Sequence, residues 1–123
     1  MPDDRNSKIY DLEERTFKFA QDCRFFVNNL PKTQANLSDG SQLIDSSGSV
    51  GANYIEANES FSKKDFCLRV KISRKEAKES KYWLMLVYIG DNMLLEDERQ
   101  RLINEATELT KIFGAILEKS KSV

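Results

Sequence analysis

The 123-residue sequence has no histidine, only two cysteines, and only five glycines and two prolines. Without histidine, Ser-His-Asp and Cys-His catalysis, His-ligated zinc and the Glu-x-x-His ligands of di-iron bundles are excluded. The few glycines and prolines and the short apolar runs exclude collagen-like, disordered and membrane-spanning classes. The 19 basic and 20 acidic residues nearly balance, so a globally basic nucleic-acid binder is not expected.

The two cysteines and the N-terminus indicate an ordinary intracellular protein. Residues 1–8 are polar and mixed in charge and lack the apolar core of a secretory signal, which predicts a cytoplasmic location. Cys23 and Cys67 have apolar neighbours and no adjacent base, so we expect reduced, packed side chains rather than nucleophiles. The length suits one domain, spanning 1–123.

Apolar residues recur at steps of three and four, and no alternation of period two persists, which predicts an all-α protein. Four such stripes predict helices at approximately 11–30, 41–61, 63–89 and 95–119. Their similar lengths and short connections favour an antiparallel up-down-up-down four-helix bundle. The predicted core stripes are Leu12, Thr16, Phe19, Cys23, Phe26 and Leu30; Leu43, Ser47, Val50, Tyr54, Ala57 and Phe61; Phe66, Val70, Ser73, Ala77, Ser80, Leu84 and Val87; and Leu95, Leu102, Ala106, Leu109, Phe113 and Ile116.

Several residue types indicate where the helices begin and end. Pro31 is expected to end the first helix, and Gly90 supplies a left-handed residue after the third. The predicted N-terminal caps are Asp11 with Glu14, Ser41, and Ser62 with Asp65.

The second stripe passes through Ser46–Ala52, which contains Gly48 and Gly51 and is a poor helix former by propensity. One interpretation is a loop or kink. The other is a helix whose small residues let a neighbouring helix approach closely. We favour the helix because the stripe continues through the glycines without a break in phase.

Charge is uneven along the chain. Residues 62–90 carry eight basic and three acidic side chains, whereas 31–61 carry one and four. The basic third helix would bind phosphates, pair with acidic helices of its own or a neighbouring subunit, or simply be solvated. The predicted nucleic-acid-binding residues are Lys71, Arg74, Lys75 and Lys78.

Carboxylates and aromatic residues near the stripes offer weaker signals. Glu76 and Glu79 are neighbours on one helix face, and Glu56 lies near its own stripe. With basic residues nearby and no histidine, ion pairing is favoured over acid–base chemistry or a metal site. We therefore predict no catalytic residue, no metal and no cofactor. Tyr82, Trp83 and Tyr88 would stack on bases or, more commonly, pack in a core or interface.

Large aromatic side chains fall partly outside the predicted core. They are Phe17, Phe25, Trp83 and Tyr88. Monomers seldom expose so much aromatic surface, so we expect a second apolar face and self-association.

Three segments and their order resemble one known family. The second helix contains Gln42–Ala57 (QLIDSSGSVGANYIEA), and the third contains Asp65-Phe66 and then Lys75–Leu84 (KEAKESKYWL). Leu30-Pro31 precedes the second helix. This pattern resembles the four-helix-bundle family of 23S rRNA intervening-sequence proteins over nearly the whole chain.

The resemblance implies a homopentameric ring in the bacterial cytoplasm, with no established enzymatic activity. A similar accessory protein of diversity-generating retroelements works with a reverse transcriptase and is strongly basic, unlike this sequence. The polar residues that match the family's pattern would have structural or interface roles, as would Trp83. These positions are Gln42, Ser49, Asn53, Glu56 and Glu79.

Two functional hypotheses follow. The first is a non-enzymatic homo-oligomer associated with RNA, including rRNA, through its basic third helix. The second is an oligomeric protein–protein adaptor that binds no nucleic acid. Neither involves a membrane or a small-molecule substrate.

Overall fold

The computed structural model describes the backbone of residues 4–121 and the side chains of residues 11–121. It contains four helices: α1 (Asp4–Asn28), α2 (Gln34–Asn58), α3 (Lys63–Leu86) and α4 (Met93–Lys121). No strand occurs between residues 4 and 121. The all-α prediction is confirmed.

Each helix packs against the next along the chain, and α1 also packs against α4. Between α2 and α3, the Ser73 hydroxyl donates to the Val50 carbonyl at 2.9 Å and the Ser80 hydroxyl donates to Ser46 Oγ at 3.0 Å. Residue numbers therefore rise along α3 as they fall along α2, which is the order of an antiparallel pair. Ion pairs between α1 and α4 follow the same reversed order. This arrangement is a four-helix bundle.

The predicted core stripes form the core with few exceptions. Phe66 and Ile116 are half-buried, and Phe61 is fully exposed because α2 ends at Asn58. At the centre of the bundle lie side chains of about 0–2 % exposure, including Phe19, Phe26, Leu43, Val50, Val70, Leu84, Leu102, Leu109 and Phe113.

Two predicted helix starts are wrong. The first helix begins at Asp4 rather than residue 11, because residues 4–10 contain no glycine or proline to stop it, so Asp11 is not its cap. The second begins at Gln34 rather than 41. The Thr33 hydroxyl caps it by accepting from the backbone N–H of Asn36 at 3.1 Å. Ser41 therefore lies inside α2.

The other boundaries follow the expected chemistry more closely. Ser62 caps α3 by accepting from the Asp65 amide at 3.1 Å, as predicted. The third helix ends at Leu86 rather than 89, since Val87 is extended. Gly90 has φ of 67°, and the fourth helix begins at Met93 rather than 95.

The glycine-containing segment of α2 is helical, as favoured. A Cβ added at Gly51 would lie 2.8 Å from Thr16 Oγ1, and one added at Gly40 would lie 2.9 Å from a methyl of Val27. A larger residue at either position would require the contacting side chain of α1, or the two helices, to shift.

Candidate functional site

A row of exposed lysines runs along α3. We define the lysine face as Lys64, Lys71, Lys75 and Lys78, all of them exposed. Their steps of seven, four and three residues place them on one side of the helix. At 1.5 Å per residue, the row is about 21 Å long. No member forms an ion pair with any residue of the described chain, 11–121.

The lysine face differs from the predicted set in two residues. Arg74 is half-buried and therefore less accessible than Lys71, Lys75 and Lys78. Lys64 is exposed on the same side of α3, and sequence reasoning missed it. Its seven-residue step from Lys71 was the available signal.

Between residues 11 and 121, the basic residues of α1 and α4 are, by contrast, mostly paired with carboxylates. Glu105 accepts two hydrogen bonds from the Arg15 guanidinium, at 2.7 and 2.8 Å. The resulting pairs are Arg15 with Glu105, Lys18 and Arg101 with Asp22, Arg101 with Glu98, Arg99 with Glu96, and Lys121 with Glu118. The positive charge of these side chains is locally neutralised, whereas that of the lysine face is not.

The two ends of the lysine face have different surroundings. Near Lys64, an open groove of about 410 Å³ lies between the start of α3 and the end of α4, lined also by Lys71, Leu117 and Lys121. One turn beyond Lys78, Tyr82 is 58% exposed. Its ring meets the Trp83 ring edge-on, with centroids 5.0 Å apart and planes at 80°. Trp83 itself is half-buried against the core.

The matched polar residues of α2 share one face beside α3. Asn53 connects the two helices: its oxygen accepts from Arg69 at 3.1 Å and its amide donates to the Ser49 carbonyl at 2.9 Å. Gln42 and Glu56 are exposed, and neither side chain has a hydrogen-bond partner within residues 11–121. An interface role for the set of Gln42, Ser49, Asn53, Glu56, Glu79 and Trp83 stays a prediction.

The carboxylates of α3 do not form the expected ion pairs. Glu76 is half-buried, Glu79 is exposed, and neither has an ion-pair partner among the described side chains. Burial, and secondarily the charge of Glu79, raises the pKa of the Glu76 carboxyl. Within residues 11–121 no three Cys, Asp or Glu side chains are grouped closely enough to hold a metal ion.

Cys23 is fully buried, and burial raises the pKa of its thiol to about 12. Such a thiol stays protonated at neutral pH and is a poor nucleophile. Cys67 is half-buried, and both cysteines are free. The packed-cysteine prediction is therefore met fully by Cys23 and partly by Cys67.

Large apolar side chains are exposed at several places, including Leu37 and Ile55 on α2, Phe61 between α2 and α3, and Leu68 on α3. On α1, Phe17 and Phe25 are 67% and 59% exposed. At the end of the bundle where α3 passes into α4, a larger group is exposed: Tyr82, Met85, Leu86, Tyr88, Met93 and Leu94. Despite this apolar surface, none of the helices between residues 4 and 121 combines the length and hydropathy needed to cross a bilayer.

Comparisons with known proteins agree with this architecture. The chain is similar to a crystallised protein of unknown function from the S23 ribosomal protein family of Bacteroides thetaiotaomicron. The two are 28% identical with a TM-score of 0.77, over 90% of this chain and 98% of that one. No curated protein matches the sequence. The family model for the 23S rRNA-intervening sequence protein matches residues 8–115, and the chain therefore belongs to that family.

Proposed function

We propose that this protein is a non-enzymatic, homo-oligomeric helical bundle that associates with RNA through the lysine face of α3. One observation carries the proposal: four exposed lysines with no ion-pair partner among residues 11–121 lie in one row, whereas most of the described cations of α1 and α4 are paired. Phosphates that meet such a row release condensed counterions, which favours binding even when the net charge of the protein is −1.

The test compares two doubly charge-reversed variants. Lys71→Glu with Lys78→Glu changes the lysine face, and Lys32→Glu with Lys111→Glu makes the same charge change at exposed residues elsewhere. We expect the first variant to lose most RNA affinity in a gel-shift titration. Its salt dependence should become shallower by about 0.7 in log–log slope for each lost phosphate contact with a single strand.

The control variant should retain affinity close to that of the wild type, apart from a general electrostatic loss. Equal losses in the two variants would show that net charge rather than the lysine face governs binding. Unchanged RNA binding by the first variant would show that the lysine face does not bind RNA.

Self-association is supported by the exposed aromatic side chains of α1. Burial of Phe17 and Phe25 away from water would stabilise an oligomer, and contact with another subunit is the simplest way to bury them. A pentamer would have five times the chain mass of 14.2 kDa. Sedimentation at several concentrations tests this number, and Phe17→Asp with Phe25→Asp should lower the mass if α1 forms the interface.

A second candidate is an oligomeric adaptor that binds another protein and no nucleic acid. The near-neutral charge and the exposed apolar group around Met85–Leu94 favour it. A pull-down at physiological salt, followed by nuclease treatment, separates the two functions. Partners that survive nuclease support the adaptor, and partners that disappear with RNA argue against it.

A further inference from the structure

We propose that Tyr82 is a base-stacking platform at the end of the lysine face, and that the ligand of this face is therefore an unpaired RNA strand rather than a duplex. This choice of ligand rests on the proposed RNA association.

Tyr82 continues the row of lysines. It follows Lys78 by four residues and Lys75 by seven, so it lies on the same side of α3. From Lys64 to Tyr82 the helix rises about 27 Å at 1.5 Å per residue. A strand whose phosphates follow the lysines would bring a base to Tyr82.

Trp83 contacts the ring of Tyr82 while leaving it accessible. The half-buried Trp83 packs edge-on against the ring at 5.0 Å, yet Tyr82 remains 58% exposed. A ring that is already positioned loses little conformational freedom when a base stacks on it. All four bases have a π face, so such a contact tolerates any sequence.

Stacking on Tyr82 requires an unpaired base. In an A-form duplex the bases are already stacked and paired, and proteins contact mainly its backbone and 2′-hydroxyl groups. A duplex would therefore meet the lysines and gain nothing from the aromatic ring. Single-stranded binding sites commonly combine a cationic track with exposed aromatic rings, which is the combination on α3.

The far end of the row suits a phosphate rather than a base. The groove beside Lys64 is also lined by Lys71, so two lysines with no ion-pair partner among residues 11–121 meet there. Lys121 lines the same groove, and Glu118 offsets its charge at 3.1 Å. The strand would thus be held electrostatically at one end and by stacking at the other.

The experiment measures binding of a 5′-labelled oligouridine and of a fully paired RNA duplex of equal length by fluorescence anisotropy. The proteins are the wild type, Tyr82→Ala, Tyr82→Phe and Tyr88→Ala. Tyr88 is a matched control because it is 60% exposed but lies beyond the end of α3, in the connection to α4. Circular dichroism of each variant checks that the helices are retained.

We expect the wild type to prefer the single strand and Tyr82→Ala to weaken single-strand binding by about fivefold or more. Tyr82→Phe keeps the ring and should bind like the wild type, as should Tyr88→Ala. Duplex binding should not change with any Tyr82 variant. The single tryptophan, Trp83, supplies a second readout, since a base stacked on Tyr82 should alter its emission.

The two proposals fail in different ways. If Tyr82→Ala binds normally while Lys71→Glu with Lys78→Glu does not, the stacking inference is overturned and RNA association stands. If polyaspartate displaces the strand as well as unlabelled oligouridine does, charge alone governs binding and the face suits an acidic protein, which also overturns stacking. If the wild type binds neither RNA, the proposed function fails and the inference with it.

Discussion

The contacts that α2 makes with its neighbours differ in kind from those between α1 and α4. Small residues dominate the contacts of α2: Gly51 lies against Thr16 of α1, and Ser46 and Ser80 join α2 to α3 through a hydroxyl hydrogen bond of 3.0 Å. The pairing of α2 with α3 is the most extensive in the bundle, and that of α1 with α4 the least.

Long charged side chains instead connect α1 to α4. Arg15 reaches Glu105, and Arg101 reaches the largely buried Asp22 at 2.9 Å. An open groove of about 270 Å³ remains between the two helices, lined in part by Phe19 and Leu102. The ion pairs span a gap that the apolar side chains do not fill.

This difference predicts that the bundle tolerates substitution less at the contacts of α2 than between α1 and α4. Backbones close enough to require glycine allow few alternative packings. Partly exposed ion pairs tolerate small displacements and contribute little stability each. We therefore expect substitutions at the contacts of α2 to cost more than substitutions between α1 and α4.

The largest effect is expected at Gly51. Gly51→Ala would place a methyl 2.8 Å from Thr16 Oγ1, whose hydroxyl is buried and donates to the Leu12 carbonyl. Overpacking of this kind costs about 1–3 kcal/mol. Gly114→Ala is the control, because its Cβ would meet no atom within 4 Å apart from adjacent residues and the backbone of its own helix, and the substitution should stabilise α4 by about 0.5–1 kcal/mol. Urea unfolding measures both, and similar values would contradict the close-packing account.

A smaller loss is expected at Ser80. Ser80→Ala removes a fully buried hydroxyl whose oxygen lies 3.0 Å from Ser46 Oγ and 2.8 Å from the Glu76 carbonyl oxygen, which should lower the free energy of unfolding by about 1 kcal/mol. The exposed Ser41→Ala, also within a helix, should be neutral or slightly stabilising. A loss at Ser80 that depends strongly on salt would be inconsistent with a neutral hydrogen bond.

The ion pair between Arg15 and Glu105 should contribute less still. A double-mutant cycle with Arg15→Gln and Glu105→Gln is expected to give a coupling of about 0.5 kcal/mol that decreases in high salt. Lys121 and Glu118 form a comparison pair whose side chains are both more than 70% exposed, and its coupling should be near zero. A coupling of several kcal/mol between Arg15 and Glu105 would contradict the expectation that contacts between α1 and α4 contribute less stability than the contacts of α2.

The smallest change in stability is expected for Glu76, and its size depends on pH. Its pKa is raised in the folded protein, so the folded state holds its proton to higher pH than the unfolded state. The contribution of Glu76 to stability is thus favourable at low pH and is lost as pH rises through the folded-state pKa. Glu76→Gln should raise the melting temperature slightly at pH 7 and leave it unchanged at pH 3. A decrease at pH 7 would mean that the carboxylate is stabilising.

The apolar stripes were predictable because burial alone selects them. Leu102, Leu109 and Phe113 are buried since their spacing allows one helix face to leave water. The helix starts were less predictable. Gly40 resembles a turn residue in isolation, but contact with Val27 in the folded bundle explains why glycine stands inside α2.

The candidate surface was only partly predictable for a related reason. Spacing places Lys71, Lys75 and Lys78 on one side of α3, and the structure agrees. Periodicity does not tell how far a neighbouring helix covers that side, which is why the half-burial of Arg74 was missed. The exposure of Tyr82 likewise depends on how far a neighbouring helix covers that side of α3.

The most direct test of the central claim is to map where RNA touches the protein. The wild-type protein is cross-linked by ultraviolet light to a single-stranded RNA, and the modified peptides are identified by mass spectrometry. Cross-links are expected on the peptides of α3 between Lys64 and Tyr82. Cross-links confined to α1 or α4, or spread evenly over the four helices, would contradict it.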